Sequence, residues 1–160
     1  MKKITSILSI SLFALLMLSG CKSTTVGSFH SYEPECLGSE LDGSETLYVW
    51  GTGRNKTDAI EQAKKNAVQV VLFKGITKGA SGCSIKPIIL EVNAEQKYSY
   101  YFNTFFKDGG EYKNYISMED SKRGSVQSQH NKQQDKYGVV VRVLRSELKN
   151  RLISDNILKP

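Results

Sequence analysis

Apolar and small residues run almost unbroken over positions 4–18, a polar stretch follows, and beyond it the apolar positions recur at strand and helix periods. Residues 46–50 (Thr46, Leu47, Tyr48, Val49, Trp50) are β-branched and aromatic and predict a strand. Gly51 and Gly53 break that run, and Asn55 offers a helix cap with Asp58 three residues on. Over residues 56–74, Ile60, Ala63, Ala67, Val70 and Val71 share one stripe, with Glu61, Lys64, Lys65 and Gln69 opposite. This predicts a long helix ending at Gly75, with its small alanines close against a sheet.

Residues 77–84 are a glycine-rich loop, and Pro87 demotes 85–92 to an edge strand or an irregular piece. A second helix is predicted over 94–107, capped by Asn93 with Gln96 at its third position and stopped by Gly109 and Gly110. Alternation over 111–118 reads as a strand. Residues 119–136 are strongly polar and read as a hairpin tip or loop. Tyr137, Val139, Val141 and Val143 alternate as one face of a strand over 137–144. A short last helix starts near Ser146, carries Leu148 and Leu152, and stops at Asn156, with Ile157 packing beyond. The expected architecture is α+β. It is a two-layer sandwich: a small, mainly antiparallel sheet, one long helix across it, an inserted helix and a short C-terminal helix.

The first apolar run changes the picture. It is about 15 residues, short of the roughly 20 a membrane-spanning helix needs. Lys2 and Lys3 precede it, and Leu18, Ser19, Gly20 and Cys21 follow. Basic start, apolar middle and small-residue cleavage site make a secretory leader. The cysteine at the cut resembles a bacterial lipoprotein signal, which makes Cys21 the expected lipidation site. The organisation expected is a leader over 1–20, a tether over 21–45 and one α+β domain over 46–160, with 76–110 as an insertion. Lys22 is not the aspartate of inner-membrane retention, so by resemblance to enterobacterial lipoproteins the outer membrane is expected, with the domain in the periplasm.

Removing the leader with Lys2 and Lys3 takes the formal charge from +6 to +4. That mild basicity fits ordinary solubility, or attraction to anionic headgroups or an acidic partner. An exported chain with no basic run is not expected to bind nucleic acid. With Cys21 acylated, Cys36 and Cys83 remain. Exported proteins keep disulfides, so a Cys36–Cys83 bridge is expected, with two buried thiols as the alternative.

The chain offers little that resembles a catalytic set. Gly51, Thr52 and Gly53 before a helix invite a phosphate-site reading, but dinucleotide and P-loop spacings are missing. His30 and His130 are the only histidines and lie far apart, so no metal site or histidine base is expected. No cofactor is expected either. The polar-loop carboxylates Glu33, Glu35, Glu40, Glu119 and Asp120 read as solvated charge. What stands out is an aromatic cluster: Tyr98, Tyr100, Tyr101, Phe102, Phe105 and Phe106, with Tyr112 and Tyr115 just beyond. Tyr98, Tyr101, Phe102 and Phe105 share a helical face, while Tyr100 and Phe106 point elsewhere. These rings either roof the sheet or serve as a partner surface, through interface anchoring or stacking on sugars.

Two stretches carry a resemblance. Val49 to Gly53, followed by the alanine-spaced run from Asp58 to Ala67, resembles the opening of small bacterial envelope lipoproteins related to the N-terminal domain of the flagellar assembly protein T. Residues 137–143 leading into 148–157 are similar to that group's closing strand and helix. The resemblance implies a non-catalytic part of envelope machinery and supplies no active-site residues. The expected function is a lipid-anchored, non-enzymatic interaction subunit of an envelope or secretion assembly. Its partners would be the membrane, through the N-terminal lipid, and other envelope proteins. The alternative is a module binding cell-wall glycan or a small ligand.

Overall fold

The computed structural model describes residues 33–121, 126–130 and 135–159. At its centre lie two nine-residue strands, β2 (Glu45–Gly53) and β6 (Asp135–Val143), paired antiparallel from Glu45↔Val143 to Gly53↔Asp135. Strand β1 (Glu35–Ser39) pairs with the other edge of β2, and β3 (Lys78–Gly79) adds parallel to β1. On the far side of β6 pair β4 (Ile116–Ser117) and β5 (Gln127–His130), both antiparallel. The sheet therefore has six strands, in the path β3-β1-β2-β6-β4 with β5 also on β6.

Period-two alternation aims Leu47 and Val49 of β2 and Val139, Val141 and Val143 of β6 at one face, where all are fully buried. Helix α1 (Lys56–Gln69) covers that face with Ala59, Ala63 and Ala67, also fully buried. The small residues are there because the backbones nearly touch. A Cβ on Gly51 would lie 2.0 Å from the Ala59 carbonyl oxygen and 2.3 Å from the Ala63 nitrogen. Gly51 thus serves as a landing for the helix inside β2, where the sequence suggested a break. The Asn55 cap is present, its side-chain oxygen accepting from the Asp58 N–H at 2.9 Å.

The predicted helix over 56–74 is continuous, but its last turn, Val70–Lys74, widens to a π-helical turn. It closes by a bond from the Gly75 N–H to the Val70 carbonyl, with Gly75 at φ 77°. The carbonyls of Val71 and Leu72 are not left orphaned, as helix ends otherwise leave them. They accept from the N–H groups of Ile88 and Ile89, each at 2.9 Å. Residues 84–92 thus form a strap laid along the helix end, with Ile88 and Ile89 buried.

Helix α4 (Arg145–Ser154) closes the core with Leu148 and Leu152, fully buried, and Ile157 packs just past its end. Asn156, expected to stop the helix, does so in the left-handed conformation, with φ 58°. Ser146 is not the cap; that position falls to Leu144, without a side-chain bond. Tyr32–Pro160 forms a unit with its own core.

The architecture is α+β, with helices across a six-stranded sheet. Three expectations are corrected. The tether does not run to 45: residues 35–39 are β1 and residues 40–44 a turn, because Cys36 is buried and pairs opposite Leu47. The helix over 94–107 is two short helices, α2 (Ala94–Lys97) and α3 (Ser99–Phe105), broken at Tyr98 with φ −104° and ψ 30°. Asn93 precedes α2 in the left-handed conformation and makes no side-chain cap bond. The strand over 111–118 is mostly a 3₁₀ turn, Glu111–Tyr115, followed by the two residues of β4. Tertiary packing of Tyr112 overrides the alternating pattern there.

Candidate functional site

Breaking the 94–107 segment at Tyr98 swings α3 so that Phe102 and Phe105 enter the core, 3% and 2% exposed. Phe102 meets Phe73 edge-on at 4.8 Å, and Phe106 packs on Phe102, Phe105 and Tyr112. Tyr98, Tyr101 and Phe106 are half-buried against the same core. Of the six rings, only Tyr100 stands in water, at 72% exposure. Most of the predicted partner surface is therefore roof over the core. Phe106, expected to point elsewhere, joins that roof; Tyr100 does not.

Tyr100 borders a cleft of about 250 Å³ with Tyr101, Thr104, Phe105 and Glu111. Beneath it the Tyr101 hydroxyl donates to Asp155 at 2.7 Å. Arg151 bridges Asp155 at 2.7 Å and Glu111 at 3.0 Å. Burial first, and then the Asp155 carboxylate, push the Tyr101 hydroxyl above a tyrosine's ordinary range, so it stays a donor. The cleft combines an exposed ring with a carboxylate, Glu111, whose charge is already matched by Arg151.

A second cleft, about 420 Å³, opens over the start of α1, lined by residues that include Thr52, Gly53, Asp58, Glu61, Lys65, Asp108 and Lys113. Glu61, which the helical pattern placed on a solvent face, is one of its lining residues. Glu61 instead accepts a short bond from the hydroxyl of Tyr112, a ring with no exposure. Lys113 lies 2.9 Å and Lys64 3.3 Å from the same carboxylate. Burial works to raise its pKa and is outweighed by the Tyr112, Lys113 and Lys64 contacts, which hold it down at about 2. Lys65 pairs with the exposed Asp108 at 2.8 Å. These charges are mutually paired, and Asn55 takes the Asp58 N–H of the helix start. Glu61 and Tyr112 lie 51 residues apart, and nothing in their local sequence announces the pair.

The Cys36–Cys83 disulfide is formed, with an S–S distance of 2.02 Å. It sits at a corner where β1, the β3 loop and the strap meet. Buried Glu45 braces that corner: one oxygen accepts from the Ser84 N–H at 2.7 Å, and the other faces Arg145 at 3.6 Å. Arg145 in turn donates to the Lys86 carbonyl at 2.7 Å. Sequence reading assigned no role to Glu45 or Arg145; their partnership exists only through the fold. Cys21 and His30 lie outside the described residues, and His130 ends β5. Among the described residues no three His, Cys, Asp or Glu side chains are grouped to hold a metal ion. Among them, too, no helix is long and apolar enough to cross a membrane.

No family model, no curated protein and no solved structure matches the chain.

Proposed function

We propose that this chain is a lipid-anchored, non-enzymatic protein of the cell envelope. It acts as an interaction subunit of an envelope or secretion assembly, held to the outer membrane through Cys21 with its domain in the periplasm. The observation that carries the reading is the Cys36–Cys83 disulfide. Such bonds persist in exported compartments and are rare in a reducing cytosol, which agrees with the leader pattern ending at Cys21. The interaction role draws support from Tyr100, an exposed ring on an aromatic bank that is otherwise buried or half-buried. Fractionation tests the anchor. Wild type is expected in the membrane fraction with a mass increase at Cys21, and Cys21→Ala in the soluble fraction. An unmodified amino terminus would sink the assignment.

A second reading has its own support. The Tyr100 cleft sets a ring beside the Glu111 carboxylate and the Thr104 hydroxyl, which is chemistry suited to a sugar ring and its hydroxyls. Sedimentation with purified peptidoglycan separates the two: a glycan module pellets with it, and a protein-interaction subunit stays in solution.

A further inference from the structure

The disulfide corner holds an apolar side chain out in water and clamps the chain on both sides of it. Ser84 is tied to Glu45, and Lys86 to Arg145. Between them Ile85 is 70% exposed, although its own carbonyl accepts from Ile76 at 3.0 Å. Leu37, next to Cys36, is 48% exposed. Further along the strap, Leu90 and Val92 are 70% and 82% exposed. A lone exposed apolar residue is ordinary. Three of them, Ile85, Leu90 and Val92, on one strap whose backbone is tied at Ser84, Lys86, Ile88 and Ile89 mark a contact surface.

The charge around this surface selects the partner. Lys74, Lys78 and Lys86 are all exposed there. Lys78 is matched by Glu35 at 3.5 Å, and Glu91, between Leu90 and Val92, is taken up by Lys97. Among the described residues neither Lys74 nor Lys86 meets a carboxylate, while Glu95 past Val92 meets the neutral Gln69, so the surface keeps an excess of one positive charge. Apolar side chains among lysines suit the interface of an anionic bilayer, where acyl chains and headgroups lie side by side.

Chain connectivity points the same way. The chain enters the sheet at Glu35, one residue before the disulfide. Thirteen residues lie between Cys21 and Glu35, and the span fully extended reaches no more than about 50 Å. With Cys21 acylated, the domain is held within that reach of the bilayer, the tether joining it beside this corner, and a surface too weak to bind alone engages intramolecularly.

We infer that the strap, through its exposed Ile85, Lys86, Leu90 and Val92, docks the domain onto an anionic lipid surface. The inference rests on the lipid-anchored reading, and its test separates the two. Residues 21–160 carrying Cys21→Ala, oxidised and without an acyl chain, are floated at millimolar lipid with vesicles of phosphatidylglycerol or phosphatidylcholine. Binding is expected to phosphatidylglycerol alone, and to weaken as salt rises. Lys86→Glu removes one positive charge and adds one negative, and is expected to lower the partition about thirtyfold, at roughly 1 kcal/mol for each charge near the surface. Ile85→Ser lowers it too, and Tyr100→Ser leaves it unchanged. Urea midpoints of the variants check that the fold is intact.

Equal flotation of wild type and Lys86→Glu overturns the inference. So does absence of binding to phosphatidylglycerol at low salt, even if native Cys21 proves acylated. Crosslinking of Ile85 to a protein, with no vesicle binding, overturns it in favour of a protein partner. An unacylated native Cys21 with vesicle binding intact would instead sink the anchor and leave this surface standing.

Discussion

Tyr112 shows how one side chain can set the behaviour of another element. Its ring fills the core between α1 and α3, and its hydroxyl reaches Glu61 at the core's edge. Burial first, and then the Glu61 carboxylate, raise the Tyr112 pKa above the ordinary value, so the phenol remains the donor. Tyr112→Phe keeps the ring and removes that bond. A hydrogen bond to a charged group contributes about 1.5–3 kcal/mol. The variant is therefore expected to lower stability by about that amount, read as a lower urea midpoint with an unchanged slope. The same carboxylate makes stability pH-dependent. Its pKa falls from an ordinary 4.5 to about 2 in the folded protein. A group depressed on folding stabilises fully above its unfolded value and loses that contribution as pH falls toward the folded one. Wild type should thus lose stability between pH 4.5 and pH 2, and Glu61→Gln should show a shallower fall across that window in thermal melts.

At the scale of elements, the π-helical turn and the strap explain one another. A regular α-helical end would present its last carbonyls to water or to caps. Here the widened turn Val70–Lys74 leaves Val71 and Leu72 to accept from Ile88 and Ile89, as a sheet edge would. The strap gains backbone order without being a strand, which is why Pro87 is tolerated within it. The disulfide fixes the strap's other end to β1, closing a loop of 47 residues. On the chain-entropy account such a closure stabilises by about 4 kcal/mol. Replacing both cysteines by serine is therefore expected to cost about 4 kcal/mol in urea unfolding, with the greatest loss of amide protection over residues 76–92. An unchanged midpoint would mean that the Glu45 brace alone holds the corner.

At the scale of the molecule, α1 covers one face of the sheet and the aromatic bank roofs the end of that core. Tyr48 and Trp50 lie on the other face, edge-to-face at 5.8 Å over Gly138. Exposure then sorts the aromatic cluster by role. Tyr100→Ser removes little buried area, so stability is expected to stay within about 0.5 kcal/mol. If the proposed interaction subunit uses this ring, the same variant lowers the yield of crosslinked envelope partners; an unchanged yield moves the contact away from the Tyr100 cleft. The sequence by itself determined the elements whose signals are local. These are the β2 strand, the capped alanine-rich helix with its Gly75 stop, the valine alternation of β6, and Leu148 and Leu152. Periodicity, caps and stops act within a few residues, so they can be read along the chain. Only the tertiary structure decided that 35–39 is a strand, that 94–107 breaks at Tyr98, and that Tyr112 leaves a strand-like pattern for the core. It alone joined Glu61 to Tyr112 and Glu45 to Ser84 and Arg145. Those outcomes depend on contacts between residues tens of positions apart, whose worth exceeds the weak local preferences that they override.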